Sequence, residues 1–246
     1  MRLSILADAH LSDSPSETYQ LDTQANLSRC IARLRDLDPD FLVLLGDYSF
    51  DEPKRSDVEW LAARVALAET PYAAVVGNHD RSEDVAEVLM QSQLMVGDRL
   101  YYRRDFEGLS CLFLDTRPGN LDSQQVQWLR HELESSKAQT LVFMHHPPVK
   151  AGVHFMDERH AFSDEGGHVF EALFGGRKPV TVFAGHYHSA RSLHIGVHTL
   201  HLCPSTAYQI NPLTPGFEVT HSMPALRHVE LVDGQVRTWV DVLARK

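Results

Sequence analysis

Ala73-Ala74-Val75-Val76-Gly77-Asn78-His79-Asp80 is an apolar run that stops at a glycine and opens at once into three polar residues of metal-binding type. Four further runs end in a similar way. Leu3 to Ala7 leads into Asp8-Ala9-His10, and Phe41 to Leu45 into Gly46-Asp47. Leu141 to Met144 leads into His145-His146-Pro147-Pro148, and Val180 to Ala184 into Gly185-His186-Tyr187-His188. Five such junctions in series are the pattern of short strands delivering ligands to the carboxyl edge of a sheet, where open α/β folds build their sites. Asp8, His10, Asp47, Asn78, His79, His145, His186 and His188 together describe a two-metal hydrolase.

The spacing carries the chemistry. In an extended chain, residues two apart point to the same side, so Asp8 with His10, and His186 with His188, can each converge on one site. Adjacent residues diverge, so one of Asn78 and His79 is expected on a metal and the other toward substrate. Gly46, Gly77 and Gly185 stand directly before a ligand, where a missing Cβ allows a sharp exit from the strand. Carboxylate, imidazole and one amide oxygen suit Fe, Mn, Zn or Co better than Ca or a structural, thiolate-bound Zn. Seven ligands exceed one ion's needs. If Asp47 bridges, two ions each gain four protein contacts and keep room for solvent. Two divalent ions against the carboxylates of Asp8 and Asp47 leave the site positive even with a bridging hydroxide. Such a site draws in a phosphoryl anion and generates the nucleophile that attacks it.

Around these junctions, apolar strands alternate with amphipathic helices, the pattern of a layered α/β fold. Asp22 to Leu37 carries Leu27, Ile31, Leu34 and Leu37 at helical spacing and stops before Asp38-Pro39. Ser56 to Glu69 stops before Thr70-Pro71, and Asp122 to Ser135 opens on a capping aspartate. Leu193 to Leu202, Arg227 to Val232 and Val236 to Leu243 read as strands, the last two joined by an Asp233-Gly234 turn, so the chain closes with an antiparallel segment of a second sheet. Pro147 to Gly167 and Cys203 to Ser222 have no periodicity and each follows a candidate ligand, as binding loops do.

The 246 residues form a single expected domain, 1–246, with a well-buried core. A net charge of −10 disfavours nucleic acid or an anionic membrane as partner, since both reward a basic face. Cys30, Cys111 and Cys203 are odd in number and form no Cys-x-x-Cys pair, which is the usage of reduced thiols in a cytoplasmic protein. The amino terminus has no basic leader, and no apolar run approaches the ~18 residues of a membrane span.

With its five junctions in order, the chain resembles the calcineurin-like metallophosphoesterases from Met1 to about Phe217. Within them it looks most like the bacterial branch of class III cyclic-nucleotide phosphodiesterases and glycerophosphodiesterases. The branch features are His145-His146-Pro147-Pro148, Leu114-Asp115 followed by Gln125 to Leu129 with Trp128, and Pro204-Ser205-Thr206. The resemblance implies a four-layer α/β/β/α sandwich of two mixed sheets flanked by helices, with a dinuclear site at the carboxyl ends of the strands. It implies one ion on Asp8, His10, Asp47 and His188 and the other on Asp47, Asn78, His145 and His186, with His79 stabilising the transition state or protonating the leaving group. Many relatives carry an acid three residues after the bridging aspartate; Phe50 stands there, with Asp51 next, so that wall is expected to be apolar. The chain is short at its carboxyl end beside branch members that oligomerise through an extra region, and its oligomeric state stays open.

The expected reaction is hydrolysis of a small phosphodiester, cyclic nucleotide or glycerophosphodiester-like, by in-line attack of a metal-bridging hydroxide. Asn78, His79, His146, His154 and Tyr187 are the candidate substrate contacts. A phosphomonoesterase is the nearest rival, and Arg81 and Arg191 are the only basic residues in the ligand segments to favour its dianion. A nuclease would want a basic stripe. A scaffold that has lost its metals is recognised by missing ligands, and here all are present.

Overall fold

The computed structural model describes residues 1–16, 18–106 and 108–244. Two mixed sheets organise them. From edge to edge the first runs Gln235–Val242, Ala225–Val232, Arg2–Leu6, Phe41–Leu44 and Tyr72–Ala74. Its last three strands are parallel, and the carboxyl-terminal hairpin joins them antiparallel along Arg2–Leu6. The second sheet runs Ser192–Ile195, His198–Leu202, Val180–Ala184, Gln139–Met144, Leu109–Leu114 and Tyr102–Phe106. It is parallel at its centre and antiparallel at both edges.

Period-two alternation in the second sheet separates two cores. Leu109, Cys111, Phe113, Leu141, Phe143 and Phe183 point inward to the first sheet, while Leu112, Leu114, Val142, Met144 and Val182 point outward. The inward rings of Phe113, Phe143 and Phe183 stack in a row with centroids 5.1 and 5.5 Å apart. Outward residues pack on Leu129 of the helix Ser123–Ser135 and on Val169 and Leu173 of the helix His168–Phe174. On the far side, Leu27, Ile31 and Leu34 of the helix Thr23–Leu37, with Val58 and Leu61 of the helix Arg55–Val65, belong to the same continuous cluster and cover the first sheet. The order is helix, sheet, sheet, helix, as the resemblance implies. Asp22 and Asp122 cap their helices by accepting from the amides of Ala25 and Gln125, each at 2.8 Å. Among the described residues no helix is long and apolar enough to cross a membrane.

Two expectations need correction. Leu193 to Leu202 is two antiparallel strands, not one. The chain reverses at Gly196, whose φ of +60° suits a two-residue turn, and Ile195 pairs with His198. The closing strands belong to the sheet of Arg2–Leu6 rather than to the other, because Ala225–Val232 fills the free edge beside Arg2–Leu6. Asp233 and Gly234, with φ of +51° and +72°, form the expected turn between them. The two aperiodic stretches hold little regular structure, namely the helix His154–Arg159 and the short pair Gln209–Ile210 with Val219–His221.

Candidate metal centre

All five junctions open at one end of the two sheets, and the backbone there turns abruptly. Asp8, His10, Asp47, His186 and His188 each have positive φ, between 43° and 63°. The strand Arg2–Leu6 ends before Asp8, so Asp8 and His10 converge through two left-handed residues and not through the pleat of an extended chain. Glycine has a second task beside that of a turn. A Cβ on Gly77 would overlap the Asp47 carboxylate, and one on Gly46 would press on the Gly77 backbone and His145 Nδ1 at 2.6 and 2.8 Å.

Six of the seven candidate ligands are buried together. Donor atoms lie within 4.8 Å of one another in the sets Asp8, His10, His188; Asp8, Asp47, His145; His10, Asp47, His79; and His145, His146, His186. Asp47 Oδ2 is 3.1 Å from His145 Nε2 and 3.7 Å from His10 Nε2, between the two groups of histidines. Asn78 is exposed at the lip and His79 half-buried beside it.

Backbone carbonyls fix which ring nitrogen each histidine presents. Nδ1 of His10, His145 and His188 donates to the carbonyls of Phe50, Leu45 and Tyr208 at 3.2, 2.9 and 3.0 Å, so each turns Nε2 inward. His186 is reversed. Its Nε2 donates to the His160 carbonyl at 3.1 Å and Nδ1 faces the cluster. The carboxylates are held in the same manner, Asp8 Oδ1 accepting from the His186 amide and Asp47 Oδ1 from the His79 amide, both at 2.9 Å.

This donor set fits cations. His10 Nε2 and His188 Nε2 face each other at 3.0 Å although both Nδ1 protons are committed to carbonyls, so two lone pairs meet unless a positive charge lies with them. Asp8 Oδ2 is buried with no hydrogen-bond partner. Charge inside the cluster is distributed unevenly. Burial, with His188 beside it, pushes His10 down to about 4, so it is neutral at pH 7. Burial would lower His145 too, but the Asp47 carboxylate outweighs it and lifts His145 to about 9. Asp47, against its own burial, is held well below the usual carboxylate range by His145.

Behind the donors stands Asp80. Its buried carboxylate accepts from the amides of Asp47 at 2.8 Å, Tyr48 at 2.8 Å and Gly77 at 2.9 Å, tying two of the junctions together. Burial and the Asp47 charge push Asp80 up to about 7, and the Gly77 and Tyr48 amides work against that rise. Ser205 does similar work for Asp8, donating to its carbonyl at 2.7 Å.

The sequence matches the calcineurin-like phosphoesterase family over residues 1–190. The chain belongs to that family. A probable cyclic nucleotide phosphodiesterase of Fibrobacter succinogenes is 29% identical over 98% of this chain and 93% of its own length. The 3′,5′-cyclic adenosine monophosphate phosphodiesterase CpdA of Vibrio vulnificus is 27% identical over 99% of this chain and 90% of its own. A dimetal phosphatase from Danio rerio superposes with a TM-score of 0.72 over 99% of both chains at 14% identity, which is a likeness of fold. As a calcineurin-like phosphoesterase the chain is a phosphoric ester hydrolase.

The phosphoesterase cluster floors a cleft of about 670 Å³. Not every expected substrate contact reaches it. His154 is exposed on the outer side of its short helix, with its amide on the Pro212 carbonyl, while Phe155, Met156 and His160 line the cleft instead. Tyr187 is fully buried, because it lies between the left-handed residues His186 and His188 and points away from them into the outer core. His146 is buried behind the cluster, its amide donating to Thr116 Oγ1 at 3.0 Å and its ring 4.2 Å from that of His186. Asp80 stood in its junction without a role, and the cleft-lining Tyr19, Tyr208 and Phe217 were not singled out from sequence. An acid three residues beyond Gly77, and aromatics in loops beside ligands, were the available signals.

Proposed function

We propose that this phosphoesterase hydrolyses small phosphodiesters, cyclic nucleotide or glycerophosphodiester-like, with two metal ions. Asp8, His10, Asp47 and His188 would hold one ion; Asp47, Asn78, His145 and His186 would hold the other. Iron, manganese, zinc and cobalt all suit these donors. Bound there, the pair would supply an activated water and neutralise charge on the phosphoryl oxygens.

The observation that carries the diester reading is the wall of the cleft. Among the described residues lining it there is no lysine or arginine. A monoester dianion would gain from added positive charge, whereas a diester carries a single charge that the metals can match. The apolar lining, with Phe50 where many relatives have an acid, suits an organic substituent on phosphorus.

His79 would manage the proton. Its Nδ1 donates to the Asp51 carbonyl at 2.6 Å, so Nε2 carries a proton only in the imidazolium. In that form it can donate to a departing alkoxide oxygen. His10 and His188 would offer Nε2 because their Nδ1 atoms are held by carbonyls, and Asp47 Oδ2, between the two groups of histidines, would serve both ions. The three cysteines are free and buried, in keeping with a reducing cytoplasm.

A metal-reconstituted panel tests the reading. Cyclic nucleotides, glycerophosphodiesters and an aryl diester should show higher kcat/KM than matched monoesters under identical conditions. A clear win for monoesters makes the protein a phosphomonoesterase of the same fold.

A further inference from the structure

Seven rings form a continuous arc around one side of the cleft. From His188 the arc passes to Tyr208 at 4.6 Å, then to Tyr19 at 5.5 Å and Phe217 a further 5.2 Å on. From Phe217 it continues to Phe155 at 5.7 Å, His160 at 5.1 Å and His186 at 6.3 Å. It thus starts on a ligand of one proposed ion and ends on a ligand of the other. Phe50 backs it, 5.7 Å from Tyr19 and 6.0 Å from His10.

Three separate segments contribute the outermost rings: Tyr19 from the loop before the helix Thr23–Leu37, Phe155 from the helix His154–Arg159, and Phe217 from the turn between Gln209–Ile210 and Val219–His221. Rings brought together merely to pack a core would be covered. Here Tyr19 is 50% exposed and Phe217 38% exposed, and Tyr19 is presented from a left-handed backbone with φ of 53°. Apolar rings that stay half open beside a polar metal centre mark a place for a ligand. The absence of Lys and Arg from the described lining leaves flat apolar faces as the main recognition surface above the cluster.

We infer that Tyr19, Phe155 and Phe217 form a ring-binding subsite that selects diesters carrying a planar aromatic substituent, a nucleobase in particular, over aliphatic ones. This rests on the phosphodiesterase reading above and goes on to say which residues set its specificity. Stacking is suited to the task because every base offers a π-face, so the subsite would favour rings in general more than one base. A glycerophosphodiester headgroup has no such face and would gain only what contact area supplies.

The test compares wild type with Tyr19→Leu and Phe217→Leu, which keep apolar bulk at half-exposed positions and remove the ring. Each is assayed with a 3′,5′-cyclic purine nucleotide and with glycerophosphoethanolamine, both of which release an alkoxide. The expected result is that the ratio of kcat/KM, cyclic nucleotide over aliphatic, falls roughly 5- to 100-fold, the range for loss of one stacked ring, and that the fall lies in KM. Calorimetry with adenosine, which has no phosphate to cleave, reads the subsite directly. Wild type should bind it and the variants should bind it at least about fivefold more weakly. An unchanged substrate ratio together with equal adenosine binding overturns the inference. If metal-loaded wild type cleaves no diester, the functional reading fails, and the adenosine comparison still decides for or against the ring subsite.

Discussion

Asp80→Asn is the substitution that best separates a metal centre held by its backbone from one held by the ligands alone. In the wild type one carboxylate oxygen accepts from Asp47 and Gly77 and the other from Tyr48. An asparagine can keep the first two with its amide oxygen, but its NH2 then faces the Tyr48 amide. One buried N–H loses its acceptor, at a cost of about 1–3 kcal/mol. For a chain of 246 residues that corresponds to a thermal midpoint lowered by roughly 2–12 °C. Alanine would orphan three donors, roughly 3–9 kcal/mol, a loss comparable to the whole stability of many domains, so asparagine is the informative choice. Because the Asp47 amide is one of the three, its carboxylate loses part of its footing, and metal affinity should drop about 10- to 100-fold, as for other groups that orient ligands. Thermal unfolding of the metal-free variant, and competition of the loaded one with a chromogenic chelator, give the two numbers. A variant that melts with wild type and holds metal equally well would refute the account of Asp80.

Asp47→Ala should lose metal from both positions and with it all turnover; two metals per chain in the purified variant, by elemental analysis, would remove Asp47 from its bridging place. His79→Ala should retain both metals and lose roughly 10²- to 10⁴-fold in kcat, less for diesters with good leaving groups. An equal loss across leaving groups would mean that His79 stabilises charge without giving up a proton. The raised His145 value predicts a pH dependence of the metal-free protein. The folded value of about 9 exceeds the ordinary 6.5, so the His145–Asp47 pair stabilises fully below pH 6.5 and its contribution is lost as pH rises through 9. The metal-free thermal midpoint should decline across that window and His145→Gln should flatten the decline; a parallel decline in the variant sinks the idea.

Where a signal was local, the residues declared the structure. Asp122 announced its helix because a cap needs only an amide three residues on, and the helix from Asp22 was announced by its apolar spacing. The apolar runs ending at Asp47 and Asn78 announced strands with candidate ligands at their tips. What failed depended on partners far away in the chain. Leu193 to Leu202 reads as one apolar stretch because its turn has a single glycine, Gly196, and nothing in Ala225–Val232 says which sheet has a vacant edge. Tyr187 was placed in the cleft on its proximity to His186, whereas the backbone twist on either side sends it to the core. His154 was chosen over His160 in a stretch without periodicity, and the short helix that forms there leaves His154 outside the cleft and His160 on its wall. The aromatic arc was invisible for the same reason that makes it interesting: its outer rings, Tyr19, Phe155 and Phe217, come from stretches distant in sequence with no pattern of their own.

The left-handed backbone at Asp8, His10, Asp47, His186 and His188 sets what such a protein can become under selection for robustness alone. A side chain in that region costs of order 1–3 kcal/mol, and glycine is free of the cost. At five points, therefore, the change that relaxes the fold is also the change that deletes a donor. A library screened only for thermal resistance should drift toward glycine at these positions and deliver robust, inert proteins, whereas one grown with metal and a phosphoester demand should keep all five as they are. The ratio of glycine recovered under the two regimes would read out, position by position, how much of the molecule's potential stability is given over to its chemistry.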